Sequence, residues 1–227
     1  MWDGAINHLD MQALAPISHA KEMGSSIEEL IKKLNDSKTY KSLFYNAWKD
    51  SIATGVKVLK SLSQFQLTLV SSTAKYDKVI NGQDTFTQQE KNGYHLFKKH
   101  CNICHSEPLF SSYAFENNGL PVDPTLQDFG RWSITHNAQD SLKFKVPSLR
   151  NLSYTYPYMH DGRFKNLKEV LHHYTNGIVK SPTLSANLDN PIILNPNEKV
   201  DLIAFLLCLN DKEFVFDKKH QYKKSGS

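Results

Sequence analysis

The chain contains one short segment in which two cysteines and a histidine stand at a fixed spacing, Cys101-Asn102-Ile103-Cys104-His105. Two thiols three positions apart can add to the two vinyl groups of one haem, while the adjacent imidazole binds the iron from one face. A zinc site would need a second pair of ligands, and a thioredoxin-like motif would need a βαβ setting. The spacing therefore predicts haem c attached through Cys101 and Cys104, with His105 as an iron ligand.

The composition is that of an ordinary globular chain. The 227 residues are 40% hydrophobic, which is enough to bury a core, and the net charge of +4 comes from scattered lysines. The absence of a continuous basic stripe argues against nucleic acid, and no apolar run reaches transmembrane length. The third cysteine, Cys208, lies in an apolar stretch and is expected to be buried.

Apolar periodicity and capping residues predict the helices that position this motif. One helix is predicted to begin after Ser26, and others to cover 40–48, 56–70, 88–100 and 166–174. A last helix is predicted to start at the N-cap Asn195, with Pro196 in its first turn, and to continue through 200–209. The fourth of these runs directly into Cys101, with the small Gly93 and Phe97 on one face. Residues 106–151 show no sustained period and predict a long loop with short helical turns. The fold class is therefore mainly α.

An internal repeat and a polar stretch predict the domain organisation. Residues 1–9 match residues 159–167 in register, with Asp-Gly on Asp-Gly and Leu on Leu. Because the second copy follows a CxxCH motif, the first copy is expected to follow another one upstream. The polar stretch 71–87 contains Asn81-Gly82 and predicts a boundary near Gly82. The expected parts are the helical remainder of a first haem domain over 1–82, a cytochrome c-like domain with covalent haem over 83–217, and a charged tail over 218–227.

Further motifs make nearly the whole chain resemble the bacterial di-haem cytochrome c peroxidase and MauG superfamily. They are Trp2-Asp3-Gly4, Gln12–Ile17 with Glu22-Met23-Gly24, Cys101–His105, Lys145–Asn151 and Pro157–Phe164. The resemblance implies two haems, one in the N-terminal domain where peroxide reacts and one in the C-terminal domain that passes electrons to it. This chain retains the second. The implied activity is reduction of hydrogen peroxide to water with electrons from a small cytochrome c or cupredoxin.

The resemblance also implies roles for two residues outside the haem-binding segment. Trp2 corresponds to the family's tryptophan that relays electrons between the haems. Glu22 corresponds to the glutamate that moves a proton on the distal side of the peroxidatic haem, which is general acid and base work. Without the resemblance, Trp2 would be interpreted as a core or interface aromatic and Glu22 as a solvated carboxylate.

A second axial ligand to the haem of His105 is expected, and the candidates are Met159, His160, His172, His173 and Tyr174. In the family pattern this ligand is Met in many peroxidases and Tyr in MauG, and Tyr174 occupies that position here. Helical spacing agrees, because Tyr174 shares a face with Leu167, Val170 and Leu171 while His172 points elsewhere. Met159 remains the alternative. A tyrosine ligand would argue for a lower potential and against plain peroxidase behaviour.

The resemblance further implies a calcium ion bridging the two domains. The backbone carbonyls of Thr155 and Pro157 lie where the family's C-terminal ligands lie, and calcium prefers oxygen ligands. Arg150 and Arg163 are candidates to pair with haem propionates, since guanidinium suits bidentate contact with carboxylates.

Two other functions stay open beside the peroxidase interpretation. One is MauG-like oxidation of a protein or other large substrate, which Tyr174 favours. The other is a mono-haem electron carrier, which fits if the chain is complete as given. Haem is attached to CxxCH outside the bacterial cytoplasm, so a periplasmic location with a signal peptide upstream of Met1 is expected. Whether the protein forms a homodimer is left open.

Overall fold

A computed structural model describes residues 1–220, which form two compact units. The smaller unit is Ile6–Val70, and the larger unit combines Met1–Ala5 with the chain from Ser71 onward. Both units are mainly helical, which confirms the predicted class.

The smaller unit contains five helices: α1 (Leu9–Gln12), α2 (Leu14–Ser18), α3 (Ile27–Asp36), α4 (Lys38–Trp48) and α5 (Gly55–Leu67). Side-chain oxygens of Ser26, Ser37 and Thr54 accept backbone hydrogen bonds at the starts of α3, α4 and α5. Such N-caps satisfy donors that a helix leaves free at its first turn. The buried core of this unit is small and consists of Phe44, Ala53 and Val58, with apolar residues of α3 packed against it.

The larger unit contains six α-helices within the described residues: α6 (Lys75–Ile80), α7 (Gln88–His100), α8 (Trp132–Thr135), α9 (Leu167–His172), α10 (Pro196–Leu207) and α11 (Lys212–Val215). A π-helical turn, His173–Gly177, continues α9. Short 3₁₀ segments cover Ala138–Asp140, Leu152–Tyr154, Ala186–Leu188 and Lys218–His220. Strands β1 (Phe115–Glu116) and β2 (Phe144–Lys145) pair antiparallel, with Phe115 opposite Lys145.

Helices α7 and α10 cross at the core of this unit. A Cβ atom added to Gly93 would lie 1.9 Å from the carbonyl oxygen of Asp201 and 2.8 Å from Cβ of Phe205. Only glycine therefore permits this approach. Phe97 and Phe205 are completely buried beside the crossing, with ring centroids 5.1 Å apart. The tight crossing fixes the end of α7, from which the cysteine segment continues.

The boundary between the units lies at Val70, which differs from the boundary expected near Gly82. The stretch read as a linker is hydrogen-bonded within the larger unit: Thr73 N donates to Asp211 Oδ2 at 2.8 Å, and Tyr76 N donates to Cys208 O at 3.1 Å. These partners lie far along the sequence, so the local polar composition resembled that of a linker. In the expected tail, 218–220 form a 3₁₀ turn and 221–227 lie outside the described residues.

The predicted long loop over 106–151 is largely irregular, as expected. It also contains α8 and the two short strands, which are too brief to show an alternating pattern in the sequence. Within residues 1–220, none of the helices combines the length and the apolar character needed to cross a bilayer.

Candidate functional site

A cavity of about 410 Å³ lies in the larger unit beside the cysteine segment. Both cysteines of that segment and His105 line it. The rest of the wall is mostly apolar and comes from α9, α10 and the loops. Its apolar side chains include Val146, Leu149, Leu152, Leu171, Leu202 and Leu206. A cavity whose surface is mostly apolar suits a large planar cofactor.

Helix α7 delivers the reactive groups to this cavity. Its start is fixed by a capping box in which Thr87 and Glu90 satisfy each other's backbone donors. Its end is continued by a turn, because Cys101 N donates to Phe97 O at 2.8 Å and His105 N donates to Cys101 O at 2.9 Å. The two thiols and the imidazole therefore stand on one continuous turn that follows the helix.

His105 is oriented by two backbone carbonyls. Its Nδ1 atom lies 3.2 Å from Phe110 O and 3.1 Å from Pro147 O. Carbonyls only accept hydrogen bonds, so Nδ1 carries the proton and the lone pair resides on Nε2. Burial also lowers the pKa of His105, which favours the neutral imidazole. A neutral imidazole with one nitrogen anchored and the other free is the form that binds a metal.

The two thiols of the segment are free of disulfide partners. Burial raises the pKa of Cys101 to about 12, and burial likewise raises the pKa of Cys104. Over residues 1–220, no cluster of three or more His, Cys, Asp or Glu side chains could hold a metal ion. The donor set therefore fits thioether attachment of a porphyrin better than a zinc site.

Tyr174 lines the cavity from the π-helical turn that follows α9. Leu167, Val170 and Leu171 line the same cavity, whereas His172 is exposed, as the helical spacing predicted. Burial raises the pKa of Tyr174, and the Asn118 side chain acts in the opposite direction. Burial therefore favours the neutral phenol here, and a bound cation beside it would favour deprotonation.

Two other candidate ligands reach the same cavity. Met159 lines it, and its Sδ atom accepts a 3.5 Å hydrogen bond from Asn118 Nδ2. His160 also lines it, with its ring stacked on Phe144 at a centroid distance of 3.7 Å. His173 does not line the cavity: it is buried, and its Nε2 lies 3.0 Å from Asn118 O.

The structure separates the other predicted site residues into two groups. Trp2, Thr155 and Pro157 line the cavity. Glu22 belongs to the smaller unit, where Glu22 N donates to His19 O at 2.9 Å in a tight turn and the carboxylate is exposed. Glu22 is not among the residues that line the cavity.

Both arginines expected near propionates are paired with carboxylates of the chain. Arg150 makes two parallel hydrogen bonds to Asp77, at 2.8 and 2.7 Å, and both side chains are 12% exposed. Arg163 is paired with Asp161. Arg150 lines the cavity and Arg163 does not, and the pairing of either with a haem propionate stays a prediction.

Sequence reasoning missed Asn118, which reaches both Met159 and the neighbourhood of Tyr174. It also missed Asp77 as the partner of Arg150, since the two are 73 positions apart. Nothing in the local sequence marks either residue, because their roles arise only when distant loops come together.

Comparison with known proteins gives a consistent family. Residues 1–85 match the family model described as di-haem cytochrome c peroxidase. The methylamine utilization protein MauG of Methylophilus methylotrophus is 34% identical over 217 residues, covering 92% of this chain and 63% of that protein. The cytochrome c551 peroxidase of Nitrosomonas europaea is 34% identical over 174 residues, covering 75% of this chain and 52% of that protein.

A solved structure shares the fold. The crystal structure of a MauG-like protein associated with microbial copper homeostasis superposes with a TM-score of 0.81 at 28% identity, covering 97% of this chain and 75% of that one. The chain spans less than two thirds of the length of the two curated relatives named above.

Proposed function

Because this chain belongs to the di-haem cytochrome c peroxidase and MauG family, we propose that it provides the electron-transfer haem site of a peroxidase-like oxidoreductase. The activity proposed for the whole protein is reduction of hydrogen peroxide to water. Its electron donor would be a small cytochrome c or cupredoxin, and its location would be the periplasm.

The observation that carries this proposal is the state of His105. Its Nδ1 is held by two carbonyls, which leaves Nε2 as the free ligand atom in an apolar cavity of about 410 Å³. Cys101 and Cys104 line that cavity as protonated thiols suited to addition across vinyl groups. A haem held there would supply one-electron redox chemistry.

Several residues of the chain would influence the redox chemistry of a haem held in the cavity. The carbonyls of Phe110 and Pro147 fix the tautomer of His105 and raise its basicity as a ligand. Apolar walls exclude water, which influences the potential of any redox group in the cavity. Tyr174 is proposed as the second axial ligand, with Met159 as the alternative. Trp2, at the cavity wall, is proposed as the electron relay.

The remaining roles complete the proposed oxidoreductase. Glu22 is proposed as the residue that moves a proton during peroxide reduction, and its exposed carboxylate is accessible for that task. The carbonyls of Thr155 and Pro157 are proposed as calcium ligands. A second haem c is proposed for the whole protein, because the matching family is described as di-haem and residues 1–227 contain a single CxxCH motif.

The electron-transfer role is tested by rapid mixing of the haem-loaded chain with a reduced small cytochrome. We expect donor oxidation coupled to reduction of the bound haem, with one electron accepted per chain. His105→Gly should abolish the rapid phase, whereas the matched control His172→Gly, at an exposed position on α9, should retain it. Equal rates in both variants would contradict the proposal.

MauG-like oxidation of a larger substrate is the second candidate, and Tyr174 favours it because its phenol lines the cavity. The matched pair Tyr174→Phe and Met159→Leu identifies the axial ligand. If Tyr174 binds iron, only Tyr174→Phe should change the haem absorption spectrum. A change confined to Met159→Leu would favour the plain peroxidase instead.

A further inference from the structure

The segment Met1–Ala5 packs within the larger unit, although the chain then enters the smaller one. Across residues 1–220, three hydrogen bonds join this segment to the rest of the larger unit. Lys145 N donates to Trp2 O at 2.7 Å, and Arg131 Nη1 donates to Asp3 O at 3.1 Å and to Gly4 O at 2.8 Å. Arg131 therefore makes the two contacts that follow Trp2 directly in the sequence.

Arg131 is itself held in place at its guanidinium and at its backbone. The central carbon of the guanidinium lies 4.6 Å from the centroid of the Phe115 ring, and the backbone nitrogen of Arg131 donates to Lys143 O at 2.8 Å. No carboxylate of the described residues forms an ion pair with it, in contrast to Arg150 and Arg163. The partners of the Arg131 guanidinium are therefore the carbonyls of Asp3 and Gly4 and the face of the Phe115 ring. These contacts fix the backbone of the Met1–Ala5 segment.

The packing around Gly4 matches this arrangement. Gly4 has a φ of +68°, and a Cβ atom added there would lie 2.2 Å from the Phe115 ring and 2.9 Å from Arg131 Nη1. The segment can approach Arg131 and Phe115 only with glycine at this position. Gly4 and the Arg131 guanidinium thus both contribute to the contact between the Met1–Ala5 segment and the rest of the larger unit.

We infer that Arg131 is a positioning residue that holds Trp2 at the cavity wall by clasping the carbonyls of Asp3 and Gly4. Trp2 is 41% exposed, so burial of its own ring is not sufficient to fix it. The placement of Trp2 matters for electron relay only if the proposed function is correct. The clasp itself is a property of the chain and can be tested without haem.

The test uses the full chain labelled with fluorotryptophan, whose fluorine NMR spectrum should contain one signal for each of Trp2, Trp48 and Trp132. Signals are assigned by replacing each tryptophan with phenylalanine. In Arg131→Gln we expect the Trp2 signal to narrow and move to the position of free fluorotryptophan. Trp48, in the smaller unit, should keep its signal and serve as an internal control. Lys143→Gln, which removes a charge from the neighbouring loop, should leave Trp2 unchanged.

An unchanged Trp2 signal in Arg131→Gln would overturn the inference. If that variant loses its helical circular dichroism, Arg131→Lys decides the question, because it keeps the positive charge but lacks the guanidinium nitrogen that donates to both Asp3 O and Gly4 O. A shifted Trp2 signal there supports the clasp, and an unshifted one refutes it. The proposed function fails separately, by absence of bound haem, which the colour of the unlabelled protein reports.

Discussion

The two units achieve their stability in different ways. In the larger unit, Phe97, Phe110, Phe205 and Leu209 are completely buried. The buried cluster of the smaller unit holds only Phe44, Ala53 and Val58. The difference indicates that the larger unit depends on long-range packing around its cavity, whereas the smaller unit depends more on local helix signals such as N-caps. Substitutions should therefore act through different mechanisms in the two units.

The largest effect is expected at the crossing of α7 and α10. In Gly93→Ala the new Cβ would meet Asp201 O at 1.9 Å, so the helices must separate. We expect a loss of about 3 kcal/mol or more in the free energy of unfolding, measured by urea titration. Gly55→Ala is the matched control in the smaller unit, since its Cβ would lie 3.7 Å from Ile31. Similar urea midpoints for Gly93→Ala and Gly55→Ala would contradict the proposed difference between the two units.

A smaller effect is expected on breaking the Arg150–Asp77 pair. Asp77→Ala leaves a mostly buried guanidinium without its carboxylate, although Pro108 O still accepts hydrogen bonds from it. We expect a cost of about 2 kcal/mol in the free energy of unfolding. Asp50→Ala removes the Lys57 pair of the smaller unit, whose carboxylate is 51% exposed, and should shift the urea midpoint much less. The reverse order would contradict the comparison.

Acid should weaken the larger unit through Glu90. Burial alone would raise the pKa of Glu90, but hydrogen bonds from Lys75 and from the Thr87 backbone lower it to about 2. This stability is fully present above the unfolded-state pKa of about 4.5, and it is lost as the pH falls toward 2.

The Glu90→Gln variant measures this contribution. The free energy of unfolding of both chains should fall between pH 6 and pH 2.5. We expect the fall to be smaller in Glu90→Gln than in the unsubstituted chain, by on the order of 2 kcal/mol. Glu28→Gln, at an exposed position in α3, should retain the full loss. Identical acid dependence in the Glu90→Gln variant and the unsubstituted chain would show that the ion pair with Lys75 contributes nothing.

The smallest effect is expected at a helix cap of the smaller unit. Ser26→Ala removes the oxygen that accepts a 3.1 Å hydrogen bond from Glu29 N. We expect a loss of about 1 kcal/mol in the free energy of unfolding, measured by circular dichroism during thermal unfolding. Ser26→Asp should restore the cap. If Ser26→Ala has no effect, local signals are not what stabilises this unit.

Local patterns allowed much of the helical fold to be predicted. The helix after Ser26 begins where its cap predicts, the helix predicted over 88–100 has those bounds, and Tyr174 lies on the face that helical spacing indicates. What could not be predicted depends on distant partners. Thr73 looked like part of a linker because its partner, Asp211, is 138 positions away. The ion pair of Arg150 could not be foreseen because its partner, Asp77, is 73 positions away.

The central claim is that Cys101 and Cys104 attach a haem whose iron His105 binds. The direct measurement is the absorption spectrum of the chain, produced with a c-type haem maturation system and then denatured. We predict that haem stays with the polypeptide and gives the pyridine haemochrome spectrum of a porphyrin with both vinyl groups converted to thioethers. Cys101→Ala with Cys104→Ala should release it. A colourless chain, or haem that separates from the unsubstituted chain on denaturation, would contradict the account.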